Sequence, residues 1–226
     1  MTTSALDCRA VLFDLDGVLV DSTESVRDVL IEWGSPRGVD ADELLRASHG
    51  RRFADSLRQV APQLDATLEA GLLESMVASA SSGVTPIRGA RALVGSLPDD
   101  AWAVVTSAST PVALARMRHA GLPAPPLLIS ADHVARGKPD PEGYLSAAVA
   151  LGVEFADCVV VEDAPAGVEA GQRAGMRVVA VTTTHRGPEL RTPWIVSDLG
   201  SIRAGPGGSH QGPAELRLQV TCAPSS

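Results

Sequence analysis

The feature that most restricts the fold of this 226-residue chain is an alternation of short apolar runs with helix-length segments. The runs are Ala10–Leu15, Ala101–Thr106, Pro126–Ser130, Cys158–Glu162, Arg177–Val181 and Trp194–Ser197. Near-continuous apolar runs are what strands buried on both faces require, and helices between them supply the crossovers of a parallel sheet. Helices are predicted over Pro111–Ala120, Pro141–Leu151 and Pro165–Ala174. Each has proline at or near its first position, where a missing N–H leaves no bond unmade. Asp140 precedes one of them as an N-cap. The fold class expected is α/β, a doubly wound parallel sheet.

Between Ser22 and Pro86 the period changes. No strand is expected there, and four helices are, near Thr23–Trp33, Ala41–Ala47, Phe53–Val60 and Asp65–Ala80. We read residues 23–85 as an inserted all-helical cap and residues 1–22 with 86–203 as the catalytic core. The stretch from Ala204, opening on Gly205-Pro206-Gly207-Gly208-Ser209, has loop chemistry and a weak apolar run at Leu216–Val220. It is expected to be a mostly disordered tail, 204–226.

No apolar run approaches the roughly 20 residues of a membrane span, and no secretory leader is evident at Met1–Arg9. Cys8, Cys158 and Cys222 are odd in number, widely spaced in sequence and in no Cys-x-x-Cys pair, which gives a disulfide framework or a thiolate metal site little support. A cytoplasmic protein is expected, a monomer or weak dimer. Its net charge of −8 disfavours nucleic acid and anionic membrane as partners. Any site for an anion must therefore make its positive potential locally. Of 19 basic residues only Lys138 is lysine, and lysine differs from arginine where a compact point charge is needed.

Four chemistry-bearing stretches fall at successive strand ends. Asp14 and Asp16 leave the first strand two residues apart, followed by Gly17 for a tight turn. Glu162-Asp163 leaves a later strand toward the same edge, where ligands of open parallel sheets bind. Carboxylates converging in this way repel unless a cation sits among them, and hard oxygen donors suit Mg²⁺. Thr106-Ser107-Ala108-Ser109 offers hydroxyls and N–H groups beside a helix N-terminus, a natural anion site. Gly137-Lys138-Pro139-Asp140-Pro141 holds the single lysine in a rigid loop. Any one of these could be an ordinary turn; four in register are harder to explain so.

Together, Asp14-Leu15-Asp16-Gly17-Val18-Leu19-Val20-Asp21-Ser22, Thr106-Ser107, Gly137-Lys138-Pro139-Asp140-Pro141 and Glu162-Asp163-Ala164-Pro165-Ala166-Gly167 resemble the four ordered motifs of the haloacid dehalogenase superfamily. The resemblance runs from about Arg9 to Arg203 and implies a Rossmann-like core with a helical cap. It also implies residue roles. Asp14 would be the nucleophile and Asp16 the acid and base. Mg²⁺ would be held by Asp14, the Asp16 carbonyl and Asp163, with Glu162 in support. Thr106, Ser107 and Lys138 would hold the phosphoryl group. True dehalogenases lack an acid at the place of Asp16, because a halide leaves without a proton, so a phosphatase is implied.

Specificity is expected in the cap turn Ser48-His49-Gly50-Arg51-Arg52. The stretch from Asp21-Ser22-Thr23-Glu24 through this turn looks similar to phosphatases of glycerol phosphate and 2-deoxyhexose phosphates, and less so to β-phosphoglucomutase. A small sugar or polyol phosphate is the expected substrate, with a sugar phosphomutase as the alternative reading.

Overall fold

In a computed structural model, residues 2–80, 82–207 and 216–222 are described. The chain starts with β1 (Thr2–Cys8) and β2 (Ala10–Phe13), then β3 (Val20–Asp21). Four helices follow, α1 (Thr23–Gly34), α2 (Ala41–Ser48), α3 (Phe53–Val60) and α4 (Ala66–Ser79), before β4 (Thr85–Pro86) and α5 (Ala90–Val94). Strands and helices then alternate: β5 (Trp102–Val105), α6 (Thr110–His119), β6 (Leu128–Ile129), α7 (Glu142–Leu151), β7 (Cys158–Glu162), α8 (Pro165–Arg173), β8 (Arg177–Val181) and β9 (Trp194–Val196). The last described strands are β10 (Ile202–Pro206) and β11 (Leu216–Cys222).

Six strands form one parallel sheet in the order β6-β5-β2-β7-β8-β9. Its alternating side chains feed two cores, because successive residues of a strand point to opposite faces. Val11, Phe13, Trp102, Val104, Val159 and Val161 pack against α5 and α6 on one face. Ala10, Leu12, Ala103, Val105, Cys158 and Val160 pack against α7 and α8 on the other. Chain order reverses about β2, whose neighbours are β5 and β7. The crevice outside the carboxyl ends of β2, β5 and β7 is therefore the switch point where such sheets bind ligands.

The insert leaves and rejoins this core through a two-stranded ladder, β3 pairing antiparallel with β4. Helices α1–α4 bury their own cluster, with Leu30, Trp33, Leu44, Leu57 and Leu73 at its centre. Asp40 and Asp65 cap α2 and α4, accepting from Glu43 N at 2.8 Å and from Thr67 N at 3.0 Å. That supplies acceptors for N–H groups the helices leave unpaired. The cap cluster extends onto Ala108 and Val112 of the core. No helix among the described residues is long and apolar enough to cross a membrane.

Besides the short β4, which closes a stretch expected to be free of strand, two expectations need correction. The stretch after Ala204 is not wholly an unstructured tail: β10 and β11 form an antiparallel sheet in the order β1-β11-β10. Leu216, Leu218 and Val220 are buried beside Leu6 and Cys8 in the core that covers one face of the main sheet. Residues 208–215 and 223–226, the rest of the expected tail, lie outside the described residues. The other correction is local. Pro141, not Asp140, is the N-cap of α7, although Asp140 still accepts from Glu142 N at 3.0 Å.

Candidate active site

At the end of β2 the backbone of Asp14 still donates to Val161 O, 2.9 Å away. The strand thus delivers the Asp14 carboxylate to the crevice with its backbone fixed. The chain then turns at Gly17, whose φ of +81° suits glycine, and whose Cβ, if present, would stand 2.0 Å from Asp163 Oδ2. Only glycine lets the two acidic loops approach this closely.

Lys138 reaches Asp14 from beneath the crevice. Its Nζ donates to Asp14 Oδ1 and Glu162 Oε1, both at 2.6 Å, and to Val105 O at 3.1 Å. An ammonium has three N–H donors, so these acceptors use all of them. Burial alone lowers the pKa of Lys138, but Asp14 and Glu162 more than offset it and hold the ammonium charged. Glu162 is equally committed. Oε1 also accepts from Tyr144 Oη at 2.9 Å, and Oε2 accepts from the backbone N–H of Asp163 at 2.9 Å and of Ala164 at 3.2 Å.

Three carboxylates converge with less positive charge than they carry. Asp14, Glu162 and Asp163 each place an oxygen within 4.8 Å of the others, all buried. Burial, with Glu162 and Asp16 adding repulsion, pushes the Asp14 carboxyl up to about 7 against the pull of Lys138. Burial, then Glu162 and Asp14, raises Asp163 as well. A divalent cation would relieve both shifts, and hard carboxylate oxygens suit one. With Glu162 saturated, the side chains able to hold it are Asp14 and Asp163. Thr184 donates to Asp163 Oδ2 and steadies that carboxylate.

Asp16 stands at the pocket wall with both oxygens engaged. Ser22 Oγ donates to Oδ1 at 2.6 Å, and Arg116 from α6 pairs with Oδ2. Thr106 and Ser107 follow β5 at the same edge. Thr106 Oγ1 accepts from Ala108 N at 3.1 Å, while Ser107 Oγ donates to Gly50 O at 3.1 Å, tying the core to the cap turn. Gly50 permits that contact, with φ of +69° and a Cβ position 2.8 Å from the Ala164 Cβ.

One pocket joins these groups. Asp14, Asp16, Thr106, Ser107, Arg116 and Asp163 line it from the core; Ser48, His49, Gly50, Arg51, Phe53 and Glu74 line it from the cap. The His49 ring meets His185 edge-on at 5.3 Å between centroids. Burial, then His185, lowers the pKa of His49. Arg52 does not join them. Its guanidinium pairs with Asp55 at 2.9 Å, donates to Ala135 O at 3.2 Å and lies on Gly137, so it anchors the cap turn to the Lys138 loop.

Sequence reasoning named Ser48 within the cap turn but missed Arg116, Tyr144, Thr184 and Glu74. Tyr144 carried a signal, being the chain's one tyrosine. Arg116 carried none, since an arginine within a helix ordinarily reads as solvent-facing.

The chain is similar to several known proteins. Hexitol phosphatase A of Escherichia coli K12 is 43% identical over 188 residues, covering 81% of this chain and 87% of its own. Glycerol-1-phosphate phosphohydrolase 2 of Saccharomyces cerevisiae is 31% identical over 222 residues, covering 91% and 89%. Among solved structures, β-phosphoglucomutase from Clostridium difficile superposes with a TM-score of 0.75 at 20% identity, over 87% of this chain and 93% of that one. The model of the haloacid dehalogenase-like hydrolases matches residues 8–175, and the chain belongs to that family.

Proposed function

We propose that this enzyme is a Mg²⁺-dependent phosphomonoesterase that hydrolyses a small sugar or polyol phosphate through a phosphoryl group carried on Asp14. The observation that carries the reading is Asp14 itself. It is a buried carboxylate held by the single lysine of the chain at the floor of a pocket, with a second carboxylate, Asp16, two residues on. Relatives named for hexitol and glycerol phosphates support the substrate class.

Lys138 and the backbone of β2 orient the Asp14 carboxylate, whose free oxygen attacks phosphorus as the P–O bond to the alcohol breaks. With its three donors already placed, Lys138 acts on the incoming phosphoryl group chiefly by charge. Thr106 and Ser107, with the N–H groups at the start of α6, receive the phosphoryl oxygens. Asp16 supplies a proton to the departing alkoxide and later takes one from the water that attacks the acyl phosphate. To reach either oxygen it must release Arg116 or Ser22, so their pairing sets where Asp16 waits. Asp14 and Asp163 would hold Mg²⁺, and the chemistry a bound ion would supply is positive charge for the phosphoryl oxygens.

Phosphate release from a panel of phosphomonoesters with Mg²⁺ tests the reading. Polyol and hexose monophosphates should lead the panel. Absence of release from every member would overturn it.

A further inference from the structure

The cap wall of the pocket contains two polar groups that the roles above leave unused. Glu74, half-buried on α4, lines the pocket and has neither hydrogen bond nor ion pair among the described residues. Ser48, at the end of α2, has its Oγ shielded from solvent with no partner among them. On the core side of the site, by contrast, Lys138, Glu162 and Asp16 are all held by partners. A buried polar atom left without a partner, as Ser48 Oγ is, is uncommon and points to a group that arrives from outside.

Around these two groups the wall is apolar, formed by Val26, Leu45, Phe53 and Val112. Two arginines line the same pocket, but neither pairs with Glu74. Arg51 is exposed, and Arg116 is bound to Asp16. A ligand group reaching the wall beside Glu74 therefore meets a carboxylate with no cation fixed against it.

We infer that Glu74 determines specificity: with Ser48 it takes hydrogen bonds from the hydroxyls of an uncharged polyol or sugar tail and rejects substrates that carry a second anion. This rests on the phosphatase reading of the same site. An ionised carboxylate only accepts, and hydroxyls are donors it can use, whereas a second phosphate or a carboxylate is repelled. Sugar bisphosphates are disfavoured on this account, so the site is matched to releasing phosphate rather than to retaining a bisphosphate for transfer back.

The test compares wild type, Glu74→Ala and Glu74→Gln on a hexitol monophosphate, a hexose bisphosphate and para-nitrophenyl phosphate, all with Mg²⁺. In Glu74→Ala the ratio of kcat/KM for the hexitol ester to that for the bisphosphate should fall by about 10-fold or more, as expected when a hydrogen bond to a charged group is lost. Glu74→Gln keeps the shape and an acceptor, so it should recover part of the hexitol activity while accepting the bisphosphate better than wild type does. A purely structural role would lower all three substrates together. That result, or an unchanged ratio in an active enzyme, overturns the inference. Wild type inert toward all three would instead overturn the phosphatase reading and this inference with it.

Discussion

The two walls of the pocket are built differently. On the core side, Lys138 has three acceptors for three protons, Glu162 accepts four hydrogen bonds, and Asp16 is held on both oxygens, which leaves Asp14 with the one free oxygen that the reaction uses. On the cap side, Ser48 and Glu74 have no partners among the described residues, and Arg51 is exposed. A wall whose groups already hold one another performs one reaction on whatever phosphoryl group enters. A wall with open valences discriminates by what it can bond. The difference separates chemistry from choice within one cavity.

Core substitutions should erase activity and cap substitutions should redirect it. The largest effect is expected for Asp14→Asn, on the order of 10³-fold or more in kcat on every phosphoester, with the melting temperature close to wild type. Loss of some substrates but not others would break the division of labour. Chelation should be nearly as damaging, with Mg²⁺ restoring turnover and Ca²⁺ restoring little, because its larger and looser shell misplaces the nucleophile. Full activity in excess chelator would show that the acidic cluster is stable without an ion.

Removing residues after Ser201 tests the core from another direction. Leu216, Leu218 and Val220 are buried, and each such side chain contributes roughly 1.5–3 kcal/mol against a total of about 5–15 for a domain. The truncated protein should melt at least about 10 °C lower or be recovered insoluble. An unchanged melting curve would mean the hairpin is only apposed.

Smaller effects are expected in the cap turn. Arg51→Ala should reorder the preference among polyol and sugar phosphates and lower kcat/KM for the best by about 10-fold, with aryl phosphate losing less. Arg52→Ala should alter that order least, within about 2-fold, because its guanidinium is occupied by Asp55 and Ala135 rather than turned to the pocket. Equal consequences for Arg51 and Arg52 would show that the turn acts as one unit.

What the sequence disclosed follows the same division. Strands buried on both faces leave apolar runs that are hard to miss, and β7 and β8 have the bounds expected of them. The acidic pairs at strand ends were legible because their spacing is local. The pairing of β11 with β1 was not. Its alternation, Leu216-Arg217-Leu218-Gln219-Val220, is a half-buried strand pattern, but the glycine-rich approach obscured it and its partner lies at the opposite end of the chain. Glu74 was illegible for a related reason. Which face of α4 looks into the pocket depends on how the cap closes on α6, and nothing within the helix reports that.

The central claim, a phosphoryl group passing through Asp14, is tested most directly by a burst experiment with Asp16→Asn and para-nitrophenyl phosphate. Nitrophenolate leaves without a proton, so phosphorylation of Asp14 should proceed, whereas the water step has lost its base. The account predicts a burst of one nitrophenolate per active site followed by slow release, with the acid-quenched protein heavier by one phosphoryl group on the peptide containing Asp14. Linear release without a burst, and no phosphoryl group on that peptide, would contradict it.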